Sequence, residues 1–184
     1  MAPEAFLEWE RGQAERHIYF HGAVFAMAGG SPRHSRLASR IIARLDAALG
    51  EGRCDVHTSD LRLALDAEHF VYADAVVVCR PVALRPGGVD VVTNPRVVVE
   101  VLSKSTESYD RGAKQAGYLA LPSVEHFVLV SQRAPRVEVY TREGDGSFRF
   151  RVHEVGGIAR LDALGAALPI NDLYEGVFDL PGDD

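Results

Sequence analysis

A chain of 184 residues is about one domain long, and its 47% apolar and 25% charged residues are what an ordinary globular protein carries, which excludes disorder and fibres. Twenty Lys plus Arg against twenty-six Asp plus Glu leave a net charge of −6, so bulk charge does not mark a nucleic-acid coat, although local basic faces remain open. A chain this long can bury about 70% of its unfolded surface, so its core needs no metal or disulfide staple and any metal would serve function.

The N-terminus, MAPEAFLEWE, is acidic where a signal peptide is basic, and no apolar run approaches the ~20 residues of a membrane span. Cys54 and Cys79 stand in no metal-ligating spacing and read as small buried hydrophobes of a reducing compartment. The expectation is a cytoplasmic protein without a membrane partner, folded as one domain over residues 1–184 with a core at about 17–178.

Residues 17–27, aromatic and β-branched around His21-Gly22, predict a hairpin. Ser31 is a natural N-cap and Pro32 suits the first helical position, so a helix begins there. Leu37, Ile41, Leu45 and Ala48 form its apolar stripe, flanked by Ala38, Ile42 and Leu49, and Gly50 ends it. Strands are predicted at 55–58 and 61–65, with a nearly continuous apolar run at 70–79. Residues 81–94 read as a loop and 97–102 as another strand. After Ser103-Lys104-Ser105-Thr106 a helix is expected over about 108–121, stopped by Pro122. Strands at 125–131, 136–141 and 147–153 follow, separated by turns at 133–135 and 144–146, and the acidic tail 179–184 is expected to fray. The order of hairpin, helix, three strands, strand, helix and strands is that of a mixed α/β domain.

Two residues contradict their surroundings. Asp74, in Tyr72-Ala73-Asp74-Ala75-Val76, and Glu100, in Val97-Val98-Val99-Glu100-Val101-Leu102, are lone acids in apolar strands of the kind usually covered on both faces. An unpaired buried carboxylate costs several kcal/mol, so something must compensate: a salt bridge, a proton, solvent at a strand end, or a divalent cation shared between the two acids. Hard oxygen donors suit Mg²⁺ or Mn²⁺.

Asp110, Lys114 and Tyr118 follow at successive i, i+4 positions on one helix face. If that helix crosses the strands, Lys114 can steady developing charge beside a metal site, or assist proton transfer if its pKa is lowered. The plainer alternative is an Asp110–Lys114 surface pair. His34 continues the apolar stripe backwards from Leu37 and is a candidate supporting residue. His17 and His21 are too far apart along a strand, about 13 Å, to share a metal. Glu138 alternates as a solvent-facing strand residue, and Arg33, Arg36, Arg40 and Arg44 are either a solvated helix face or a phosphate-facing one.

These residues resemble a known family, the Uma-two group of putative restriction endonucleases in the PD-(D/E)XK nuclease superfamily, from about Tyr19 to Phe178. The likeness is carried by His21-Gly22, Met27-Ala28-Gly29-Gly30-Ser31 with His34, Tyr72-Ala73-Asp74-Ala75, Glu100-Val101-Leu102-Ser103-Lys104-Ser105-Thr106, and Tyr109-Asp110-Arg111-Gly112 with Lys114 and Tyr118. The resemblance implies a restriction-endonuclease-like mixed sheet flanked by helices, with an added N-terminal hairpin and C-terminal strands. It implies that Asp74 and Glu100 are the two metal-binding acids, that the Val101 main-chain carbonyl is a further ligand, and that Lys114 replaces the lysine absent at Leu102, one turn before Tyr118. It further implies a Mg²⁺- or Mn²⁺-dependent DNA endonuclease working as a homodimer. His21 and Ala23 stand where acids are common around the hairpin, and that departure motivates the alternative of a catalytically inactive nuclease-fold binding or assembly module.

Overall fold

The computed structural model describes residues 1–27 and 29–183, so Ala28 of the resembling segment and Asp184 of the tail lie outside the described residues. The chain opens with α1 (Pro3–Glu10) and the hairpin of β1 (His17–Phe20) and β2 (Ala23–Ala26), whose turn carries positive φ at both His21 and Gly22, the geometry that matches the twist of a two-residue hairpin. The Ser31 Oγ accepts the His34 N–H at 3.2 Å, capping α2 (Pro32–Leu49) as its sequence requires. There follow β3 (Cys54–Thr58), β4 (Arg62–Asp66), β5 (His69–Tyr72), β6 (Ala75–Cys79), β7 (Val91–Val92) and β8 (Pro95–Leu102).

The continuous apolar run at 70–79 is divided, and the division falls at Asp74. Upstream, β5 belongs to a five-stranded sheet of order β2-β1-β5-β4-β7; downstream, β6 belongs to a six-stranded one. That second sheet continues with β9 (His126–Ser131), β10 (Val137–Arg142) and β11 (Phe148–His153), in the order β11-β10-β9-β8-β6-β3. All its pairings are antiparallel except β8 with β9. A parallel step needs a crossover. Here it consists of α3 (Glu107–Tyr109), a π-helical turn (Asp110–Lys114) and α4 (Gln115–Ala120), in place of the single helix expected over 108–121. Non-helical backbone at Gly112 (φ −104°, ψ −106°) marks the kink.

The strand β8 is buried on both faces, which explains its unbroken apolar sequence. Val97, Val99 and Val101 pack with Leu37, Ile41 and Leu45 of α2, while Val98 and Leu102 pack with Tyr118, Phe127 and Leu129. Each fully buried side chain of this kind contributes about 1.5–3 kcal/mol. Ala48 is exposed, and Leu49 takes its place at the end of the stripe. A third cluster joins α1 to the five-stranded sheet, with Phe6 against Tyr19 and Phe70.

Further features depart from the sequence expectations: β7 falls inside the stretch 81–94 read as a loop, and α1, upstream of the expected core at about 17–178, buries Phe6 and Leu7. Residues 154–178, for which no element is predicted, form β12 (Ile158–Leu161), β13 (Ala166–Pro169) and α5 (Ile170–Tyr174), and these bury Leu161, Leu168, Ile170 and Leu173 beside α2. The tail through Asp183 is docked rather than frayed: the Arg33 guanidinium donates to the Leu180 carbonyl, and the Arg33 N–H to that of Pro181. Cys54 and Cys79 are joined in a disulfide, because they are register partners on the neighbouring antiparallel strands β3 and β6, a proximity that spacing in sequence does not reveal. No helix among the described residues is long and apolar enough to cross a membrane.

Candidate functional site

The switch between sheets places Asp74 at a bend beside the end of β8, where its Oδ2 accepts the Val101 N–H at 2.7 Å in place of a strand partner. The first turn of α2 brings the His34 Nε2 to 3.3 Å from the same oxygen. Glu100 lies on the β8 face shared with Val98 and Leu102, and the crossover is laid over that face. Glu100 Oε1 therefore accepts from both Lys114 Nζ, at 2.8 Å, and the Tyr118 hydroxyl, at 2.8 Å. Asp110 Oδ1 stands 3.4 Å from the same ammonium, and Asp110 Oδ2 accepts the Thr106 hydroxyl at 2.6 Å. His34, Asp74, Glu100, Val101 and Lys114 line one cavity of about 340 Å³, and at His34 and Asp74 it meets a wider cleft of about 1010 Å³.

The electrostatics follow from three carboxylates gathered about one ammonium. Burial, reinforced by Asp110 and Asp74 and only partly offset by Lys114, pushes the Glu100 carboxyl up to about 8. Burial works against the Lys114 charge too, but Glu100 and Asp110 outweigh it and hold the ammonium above the usual lysine range. The chemistry left to Lys114 is that of a fixed positive charge, not of a proton acceptor. For His34, burial is likewise outweighed by the Asp74 carboxylate, with Glu100 and Asp183 adding to it, so the imidazole is raised above its ordinary value. Burial raises the Tyr118 hydroxyl, a donor that stays protonated.

The six residues singled out from sequence, His34, Asp74, Glu100, Val101, Lys114 and Tyr118, thus converge. Other expectations fail. The Asp110–Lys114 pair is buried rather than on the surface. Glu138 is buried too, clamped by Arg111 and Arg136, because β10 carries the next strand beside it and the crossover on its face. The arginines of α2 do not turn to solvent as a group. Arg33 is buried against the tail, Arg40 donates to the Leu173 and Glu175 carbonyls, and Arg44 pairs with Asp172, while Arg36 is exposed. His21 pairs with Glu68 and lines neither cavity.

Sequence reasoning missed Gln132, a buried side chain whose Nε2 donates to the Leu102 carbonyl at 2.8 Å while its Oε1 accepts the Ser31 hydroxyl at 2.7 Å. It ties the cap of the helix bearing His34 to the strand bearing Glu100. It also missed Asp183, which lines the cavity; neither residue sits in a pattern that marks it.

Residues 3–171 match a family model described as putative restriction endonuclease. The chain belongs to this Uma-two family. Two Synechocystis proteins are similar to it: the uncharacterized protein slr1290, 32% identical over 96% of this chain and 93% of its own, and the uncharacterized protein sll1609, 29% identical over 76% and 80%. The crystal structure of a putative nuclease of the DUF820 group from Anabaena variabilis superposes with a TM-score of 0.79 at 16% identity, covering 96% of this chain and 99% of that one, and so shares the fold. The Uma-two assignment agrees with the mixed sheet and flanking helices expected from the sequence, and supports a nuclease in general terms.

Proposed function

We propose that this Uma-two chain is a metal-dependent phosphodiesterase, a DNA endonuclease with Asp74, Glu100 and Lys114 as its catalytic residues. The observation that carries the proposal is the meeting of Asp74 and Glu100, each the lone acid of an apolar strand run, at one cavity with Lys114 on the second acid and His34 on the first. Among the described residues no three His, Cys, Asp or Glu side chains are arranged to hold an ion. The donors fit a cation that needs fewer protein ligands: Mg²⁺ or Mn²⁺ takes one or two carboxylates and fills its remaining positions with water and phosphate. Asp74 and Glu100, with the Val101 carbonyl, would hold it, and a Glu100 whose ionised form burial and the neighbouring acids disfavour, despite Lys114, favours that fit. When bound, such an ion neutralises charge on the scissile phosphate and lowers the pKa of a water.

The chain's own groups supply the rest. Lys114 holds a permanent positive charge at the phosphate and, through Glu100, orients that carboxylate. Tyr118 fixes the other side of Glu100 Oε1, and His34 with the Val101 N–H fixes Asp74. The alternative of an inactive module rests on the departures at His21 and Ala23; His21 lies away from the cavity, and Lys114 stands at the second acid despite Leu102, so both observations favour the active reading. The same proposal includes a homodimer, formed through the exposed edge strand β11, which carries Phe150 and Val152 to solvent.

With Mn²⁺, the wild type is expected to nick or cut supercoiled DNA, and Asp74→Ala and Lys114→Met to lose most of that activity. Calorimetry is expected to show Mn²⁺ binding lost in Asp74→Ala and kept in Lys114→Met. Equal background cleavage in wild type and Asp74→Ala preparations would refute the nuclease and leave the binding module.

A further inference from the structure

The tail that sequence leaves frayed runs to the site. Leu180 and Pro181 are pinned by the backbone and guanidinium of buried Arg33, whose ring-facing side lies 5.3 Å from the centre of Phe178. Gly182 passes so near this guanidinium that a Cβ there would come within 2.6 Å of it. Beyond it, the Asp183 Oδ2 accepts the Lys104 N–H at 2.9 Å, and Asp183 forms part of the wall of the cavity that holds Asp74, Glu100 and Lys114.

A fourth carboxylate beside a site already rich in acids is a poor structural choice unless it does something there. It is seated on a backbone N–H, the kind of donor that phosphate oxygens take, and it adds negative charge where an incoming anion must pass. We propose that Leu180–Asp183 is an autoinhibitory strap, with the Asp183 carboxylate occupying the seat of a substrate phosphate at Lys104, so that a polyanion binds only when the strap lifts. This rests on the nuclease reading for the identity of the anion displaced. The strap repels phosphate and competes with it for the Lys104 N–H, whereas a cation held by Asp74 and Glu100 needs no seat at Lys104 and gains only weakly from the Asp183 charge. A site whose open form is a tenth of the population binds its anion about tenfold more weakly than the open form alone.

The test titrates the protein with inorganic phosphate and follows the Lys104 amide by NMR, alongside Mn²⁺ calorimetry. In Asp183→Asn and Asp183→Ala, phosphate is expected to shift the Lys104 amide at about a tenth of the concentration wild type needs, with Mn²⁺ still bound and its affinity lowered only slightly. Equal or higher phosphate midpoints in both variants would overturn the strap. So would a loss of Mn²⁺ binding as complete as that expected of Asp74→Ala, which would make Asp183 a metal ligand. If phosphate binding tightens as expected while no variant or wild type cuts DNA with Mn²⁺, the strap stands and the nuclease reading is what fails.

Discussion

Replacing Glu100 with Gln tests the electrostatics of the site directly. Glutamine keeps the shape of the side chain and an oxygen to accept from Tyr118, and Lys114 retains Asp110, 3.4 Å away. What disappears is a carboxyl that takes its proton at about 8 in the folded protein against 4.5 ordinarily. Between these values the folded state holds a proton that the unfolded state has released, so stability is greatest below 4.5 and falls as pH rises to about 8. Carried across that window, the ionised form is disfavoured by up to about 5 kcal/mol, an upper bound because water and local motion relax a buried charge. Urea unfolding in EDTA at pH 5, 7 and 9 reads the effect. Wild type and Glu100→Gln are expected to be within about 1 kcal/mol of each other at the lowest pH, with the variant gaining a lead of a few kcal/mol at the highest. Added Mn²⁺ is expected to raise the stability of wild type but not of the variant. A variant less stable than wild type at pH 9 without metal would refute the reasoning, since the Lys114 pair would then outweigh burial and the neighbouring acids.

Glu138 has the opposite sign: hydrogen bonds from Arg111, then Arg136, hold its carboxyl below the ordinary 4.5, so its contribution is present above 4.5 and is lost as acid carries the pH down through the lowered value. Glu138→Gln is expected to cost ~1–2 kcal/mol at pH 7, with both arginines partly exposed, and less at pH 3 by urea unfolding; an equal cost at both pH values would contradict the ion-pair account. Gly117 lets α4 lie on β4, since a Cβ there would come within 2.5 Å of the Leu65 side chain, and Gly117→Val is expected to lower stability by ~1–3 kcal/mol, seen as a lower melting temperature. Sedimentation is expected to show a dimer at tens of micromolar that Phe150→Lys dissociates; a wild type wholly monomeric there would remove the β11 interface.

Local physics made much of this molecule legible from its sequence. The Ser31 cap, the stripe through Leu37, Ile41 and Leu45, and the hairpin turn at His21-Gly22 each depend on neighbours within a turn or two, so their patterns survive without the fold. The two acids were legible for a related reason: a carboxylate inside an apolar strand is conspicuous wherever that strand packs. Tertiary structure decided what no period encodes. It cut the run at 70–79 into strands of two sheets, which turned Asp74 from a strand residue into the corner of a cavity. It laid the crossover on the Glu100 face of β8, which made Lys114 a buried partner. It also took the arginines of α2 for the C-terminal segment, clamped Glu138, joined Cys54 to Cys79 and seated Asp183 on Lys104. Burial can be inferred from pattern because it averages over many neighbours. The partner of a charge or a thiol is one group, often a hundred residues away, and only the path of the chain selects it.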